Sequence, residues 1–244
     1  ERTCPFPVDR GVRQGCVLAP TLFSLFINDV IDSLVTCQHD SPILNDMKIP
    51  ALLFADDTLL ISRTPRGLEN LLKEYNRYCI RKGLEINKLK TKIMSINPHR
   101  TFKGKIYLDG NGLDMVSSIE YLGICLDKNT TWHPHIEKCK NIITQRAGAL
   151  TRLHTRSPII PLSPVKKIYR AKVQSASLYG AEIWGYINFD TVASKENQFF
   201  RTICGMPKYC PLTPLFYDLA FKQTKHLAIL KPLLYWVKIW TKVE

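Results

Sequence analysis

Ile49-Pro50-Ala51-Leu52-Leu53-Phe54-Ala55-Asp56-Asp57-Thr58-Leu59-Leu60-Ile61 sets two short apolar runs on either side of an adjacent pair of carboxylates. Apolar runs of this length around turn-forming residues predict a β-hairpin with the acidic pair at its bend. Two like charges side by side between apolar strands repel each other and lose solvation. A divalent cation offsets both effects, and magnesium favours a few carboxylate oxygens with water and phosphate in its other positions. Asp is also a good turn former, so the pair taken alone reads first as a plain turn.

The flanking sequence supplies the rest of a mixed domain. Upstream, Leu22, Phe23, Phe26, Ile27, Val30 and Leu34 have helical spacing across 19–35, with Pro20 in the first turn. Gly11-Val12-Arg13-Gln14-Gly15 precedes them as a loop bracketed by glycines. Downstream, Thr64-Pro65 opens a helix with Leu68, Leu71, Leu72, Tyr75 and Cys79 on one face, and Gly83 ends it. Strands are expected at 92–96, 105–108 and 119–126, which makes this stretch α+β.

Near Asp127 the pattern turns wholly helical. Ile136, Cys139, Ile143, Ala147, Leu150 and Leu153 share one face. After Pro158 and Pro161, Ser163-Pro164 opens a second helix carrying Ile168, Tyr169, Val173, Ala176, Ile183 and Trp184. A third helix is expected over 190–204. Pro207, Pro211 and Pro214 then break the chain before an aromatic-rich helix at 224–241.

Charge follows the same division. Residues 1–130 hold 17 Lys and Arg against 15 Asp and Glu, a net of +2, whereas 131–244 hold 17 against 6, a net of +11. Between 138 and 172 lie nine basic residues and no acidic one: Lys138, Lys140, Arg146, Arg152, Arg156, Lys166, Lys167, Arg170 and Lys172. Such a field attracts polyanions, nucleic acid foremost, although a solvated basic face without a partner has the same composition. The eight cysteines (4, 16, 37, 79, 125, 139, 204 and 210) form no Cys-x-x-Cys pair, so reduced core thiols are expected and no zinc site. No apolar run is long enough for a membrane span, and the start has neither a signal peptide nor an initiator methionine. We therefore expect an intracellular protein, in nucleus or cytoplasm, whose sequence begins partway through something longer.

Four segments in order carry a family resemblance. Gly11-Val12-Arg13-Gln14-Gly15-Cys16 with Leu18-Ala19-Pro20-Thr21-Leu22-Phe23 resembles motif B of reverse transcriptases, and Phe54-Ala55-Asp56-Asp57 resembles motif C. Gly83-Leu84-Glu85-Ile86-Asn87 with Lys90-Thr91 resembles motif D, and Tyr121-Leu122-Gly123 resembles motif E, the primer grip. The wording is closest to LINE-type elements (non-LTR retrotransposons). Phe200-Arg201 and Gly205-Met206-Pro207-Lys208 resemble the region after the thumb in those proteins.

The resemblance implies an RNA-directed DNA polymerase with RNA template, DNA primer and deoxynucleoside triphosphates as partners and two Mg2+ ions as cofactors. Its fold would be a partial right-hand palm over 1–126 (ferredoxin-like, antiparallel sheet with helices), a basic helical thumb over 127–204 and a C-terminal helical extension over 205–244. Asp56 and Asp57 would be catalytic and bind metal, and Lys90 would meet the triphosphate or protonate the leaving pyrophosphate. Arg13, Gln14 and Gly15 would line the nucleotide and template side, Tyr121, Leu122 and Gly123 would hold the primer end, and the thumb cations would grip phosphates. The palm's third carboxylate, in motif A, and the fingers are not in this sequence, and Asp9 lies too close to the motif B loop to serve. This chain is therefore expected to be inactive by itself. Ala19 stands where the family usually has serine. The competing readings are a non-catalytic nucleic-acid-binding remnant, a group II intron-type maturase sharing the palm, and a viral RNA polymerase, whose motif C has Gly where this chain has Ala55.

Overall fold

Strand and helix alternate up to residue 127 and only helices follow, in a computed structural model that describes residues 11, 15–35, 40–96, 102, 104–156, 160–187 and 189–241. Two compact units result. Glu1–Ile93 with Arg100–Met115 forms one, and Met94–His99 with Val116–Glu244 forms the other.

In the first unit, α1 (Ala19–Phe26) and α2 (Val30–Val35) replace the single helix expected over 19–35. The break falls at Asn28-Asp29, residue types whose side chains compete with the helical backbone. Asp29 is held elsewhere, accepting from the Tyr78 hydroxyl at 2.6 Å and from Lys82 at 2.9 Å. Two hairpins follow: β1 (Ile43–Leu44) with β2 (Met47–Lys48), then β3 (Ala51–Phe54) with β4 (Asp57–Leu60). Helix α3 (Pro65–Lys82) begins as the sequence predicts, the Thr64 hydroxyl accepting from the Gly67 N–H at 3.2 Å, and ends at a left-handed Gly83. Its buried Leu71, Tyr78 and Cys79 pack with Val30, Leu34 and Ala51.

The remaining strands of this unit are β5 (Lys92–Ile93), β6 (Tyr107–Leu108), β7 (Asn111–Gly112) and β8 (Asp114–Met115). β6 pairs with β7, and β5 pairs with β8 in parallel. The class is α+β, but among the described residues every sheet has two strands, so the larger antiparallel sheet expected of a ferredoxin-like palm is not formed.

The second unit opens with β9 (Ser118–Tyr121) and β10 (Ile124–Asp127), a hairpin where the sequence suggested one strand. Leu122 and Gly123, both left-handed, reverse the chain between them. Asp127 then shapes the entry to α4 (His133–Arg156), accepting from the Asn129 and Trp132 N–H groups and the Thr131 hydroxyl. Burial alone would raise this carboxyl; the hydrogen bonds it accepts outweigh that and hold it below the usual range.

The helix expected from Ser163 to Trp184 is divided. It runs as α5 (Leu162–Ile168), a π-helical turn (Tyr169–Gln174), α6 (Ser175–Ser177) and, beyond a left-handed Gly180, α7 (Ala181–Trp184). α8 (Asp190–Ile203) matches expectation. α9 (Leu212–Asp218) does not: Pro211 and Pro214 sit before and within its first turn, where proline starts a helix rather than breaking one. Its Phe216 joins Tyr169, Phe199, Phe200 and Phe221 in a core of touching rings. α10 (Thr224–Trp240) buries Thr224 and Ala228 and leaves most of its later apolar residues exposed.

Candidate active site

The β3–β4 hairpin closes through Ala55 and Asp56, with Phe54 paired to Asp57. Asp56 is therefore in the bend and Asp57 begins the returning strand. Ala55 has φ +51°, a left-handed conformation that costs a non-glycine residue about 1–2 kcal/mol. Both aspartates are exposed, so the solvation loss that the sequence suggested does not occur. The pair is a set of hard oxygen donors open to solvent. Beneath the bend is a void of about 20 Å3 lined by Phe23, Ile27, Leu53, Asp56, Thr58 and Tyr75, room for about one water.

Sequence reasoning missed what steadies this turn. The Tyr75 and Thr58 hydroxyls lie 2.8 Å apart, tying α3 to β4 one residue after Asp57. The helical face carried Tyr75, but nothing in the sequence paired it with Thr58.

The other predicted residues are dispersed. Arg13 and Gln14 lie outside the described residues; Gly15, described, has φ +82°. Lys90 is exposed in a turn where its own N–H bonds to Asn87 Oδ1 at 3.1 Å. The buried setting that a proton-donating role would call for is thus not present there. Tyr121, Leu122 and Gly123 form the end of β9 and the turn of the second unit's hairpin. Among the described residues, no group of three or more His, Cys, Asp or Glu is placed to hold a metal ion. No described helix is long and apolar enough to cross a membrane.

Among the described residues, these cations divide into those with a protein partner and those without one. Lys138 pairs with Glu120 at 2.5 Å and donates to the Gly123 carbonyl at 2.9 Å, and Lys140 pairs with Glu137 at 3.0 Å. Arg146 donates to the Lys172 carbonyl at 2.6 Å. Lys166 and Arg170 donate to the Leu219 and Ala220 carbonyls beyond α9, at 2.6 and 2.7 Å, satisfying groups that a helix end leaves unpaired. Arg152, Arg156, Lys167 and Lys172 are exposed.

Residues 1–126 match the reverse transcriptase (RNA-dependent DNA polymerase) family. The chain is 32% identical over 224 residues to the "Probable RNA-directed DNA polymerase from transposon BS" of Drosophila melanogaster, covering 86% of this chain and 24% of that protein. It is 23% identical over 212 residues to the RNA-directed DNA polymerase from mobile element jockey of the same species, covering 83% of this chain and 23% of the relative. A shorter match, 34% over 89 residues, covers 36% of this chain and 8% of a retrovirus-related Pol polyprotein from type-1 retrotransposable element R2 of Nasonia vitripennis. The chain spans about a quarter of the length of the first two relatives.

Proposed function

Because this chain belongs to the reverse transcriptase (RNA-dependent DNA polymerase) family, in its LINE-type, non-LTR branch, we propose that it carries part of an RNA-directed DNA polymerase. Its substrates would be an RNA template, a DNA primer and deoxynucleoside triphosphates, met inside the cell, in nucleus or cytoplasm. The observation that carries this reading is the exposed Asp56-Asp57 pair at a tight hairpin bend inside the matched region.

Asp56 and Asp57 fit magnesium in donor type, being hard carboxylate oxygens with room beside them for water and phosphate. A bound pair of such ions would supply activation of the primer 3′-hydroxyl and neutralisation of the departing pyrophosphate. The chain's own residues then position. Ala55 fixes the bend, Gly15 permits close backbone approach with Arg13 and Gln14 beside it, and Tyr121 through Gly123 hold the primer end. Lys90 meets the triphosphate as an exposed charge. Arg152, Arg156, Lys167 and Lys172 grip phosphates. In this reading the first unit belongs to a palm and the helices of the second to a thumb.

Among the described residues no third His, Cys, Asp or Glu joins Asp56 and Asp57 in a metal-holding group, which also favours a second reading, nucleic-acid binding without catalysis. Primer extension in magnesium separates them, with Asp56→Asn as control and manganese-induced NMR broadening around residue 56 as a second readout. We expect no extension by this chain alone, with broadening that Asp56→Asn removes. Extension abolished by Asp56→Asn would mean another acidic residue completes the site. Neither extension nor broadening leaves the binding reading, and extension that survives Asp56→Asn overturns the site.

A further inference from the structure

The turn between β9 and β10 is held from two sides. Leu122 (φ +48°) and Gly123 (φ +81°) are both left-handed, which suits a two-residue hairpin turn but strains a leucine. From α4, Lys138 donates to the Gly123 carbonyl and pairs with Glu120, while His135 Nδ1 accepts the Cys125 N–H at 3.2 Å. Opposite them is the Leu178–Gly180 turn between α6 and α7, where Trp184 Nε1 donates to the Tyr179 carbonyl at 3.0 Å.

The two turns meet glycine to side chain in both directions. A methyl group at Gly123 would stand 3.2 Å from Cε1 of Tyr179, and one at Gly180 would stand 2.6 Å from Cδ1 of Ile124. The Tyr179 ring is therefore the surface on which Gly123 rests. It nevertheless remains 55% exposed, so core packing alone does not account for an aromatic at this position.

We propose that Tyr179 is a positioning residue for the β9–β10 turn, its ring setting where residues 121–123 stand against the end of a primer strand. This rests on the reading of that turn as the holder of the primer. Lys138 is a flexible tether, whereas a flat ring against a residue without a side chain defines a distance. A displacement of about 1 Å at a reacting end costs on the order of a hundredfold in productive alignment.

The test uses the full chain bound to an RNA template whose DNA primer carries a diazirine on its 3′-terminal nucleotide. Crosslinked peptides are mapped by mass spectrometry, and affinity for the same duplex is measured by fluorescence anisotropy. Wild-type protein should crosslink within 118–127. Tyr179→Ala should lower that yield about tenfold, while duplex affinity, carried by phosphate contacts elsewhere, stays within about twofold. Tyr179→Phe should restore the yield. Tyr179→Leu, which retains apolar bulk should the alanine variant melt early, should lose the yield as well. Unchanged yield in both Tyr179→Ala and Tyr179→Leu overturns this inference alone. Loss of yield with an equal loss of affinity and of helical signal reduces Tyr179 to a structural role and also overturns it. A wild type that never crosslinks within 118–127 removes the primer reading and the inference together.

Discussion

Lys166 and Lys167 are neighbours of one charge with different tasks. Lys166 is half-buried and spends its ammonium on the Leu219 carbonyl, while Lys167 is exposed. Lys166→Ala leaves that carbonyl unpaired and should destabilise the second unit by about 1–3 kcal/mol in urea unfolding. Lys167→Ala should stay within about 0.5 kcal/mol and instead lower the salt slope of duplex binding by about 0.9. Equal effects of the two substitutions on stability would refute the division. Ala55 offers another local test: with φ +51°, Ala55→Gly should stabilise the first unit by about 0.5–1 kcal/mol, read from its melting curve. The sequence showed the charges and the Asp56-Asp57 pair because residue type alone reveals them. It did not show which cations are consumed, since Leu219 lies 53 residues from Lys166 and the bond exists only once α5 and the end of α9 have packed.

Helix α10 is anchored by a carboxylate from another helix. Glu196 of α8, fully buried, accepts from the Thr224 N–H at 2.9 Å and from the Thr224 hydroxyl, and Gln174 of the π-helical turn donates to the same threonine at 3.2 Å. An acceptor at a helix N-terminus suits the dipole, but burial pushes the Glu196 carboxyl up by more than the Thr224 hydrogen bonds and the Lys225 charge pull it down. A raised native pKa means that the folded state takes up a proton before the unfolded chain does. The resulting stabilisation is complete below the unfolded glutamate value of about 4.3 and is lost as pH rises through the native pKa. Wild type should therefore lose stability relative to Glu196→Gln as pH is raised from about 4.3, measured as the difference in urea midpoints. A pH-independent difference would contradict it. None of this was legible, because Glu196 reads as one polar residue in an amphipathic helix. Long single helices such as α3 and α4 were legible, since the apolar period holds over many residues and, in α3, the caps agree with it. The β9–β10 hairpin and α9 were not, because in each the deciding signal is one turn: Leu122-Gly123, or a proline whose meaning depends on whether a helix begins there.

At the scale of the whole molecule the two units answer to different forces. The first gathers the acidic hairpin on small cores around α3. The second has a larger aromatic core and most of the net positive charge. The sequence placed its change of character near Asp127, whereas the second compact unit joins Met94–His99 to Val116–Glu244 and so takes in the β9–β10 hairpin, with β10 packed on α4. Strand content assigned that hairpin to the earlier domain; contacts made by a neighbouring helix decide membership. If the core of the second unit suffices, a chain of residues 116–244 should fold with a cooperative thermal transition of its helical signal. It should also retain the duplex binding of the full chain. Arg152, Arg156, Lys167 and Lys172 make no side-chain hydrogen bond with a described residue, so their phosphate contacts should give log affinity a slope of about −3 to −4 against log salt. Replacing all four with glutamine should flatten that slope without shifting the melting temperature by more than about 2 °C. A slope that survives the replacement would place the phosphate contacts on other residues. Loss of the transition in the fragment would mean that the first unit is needed for the second to fold.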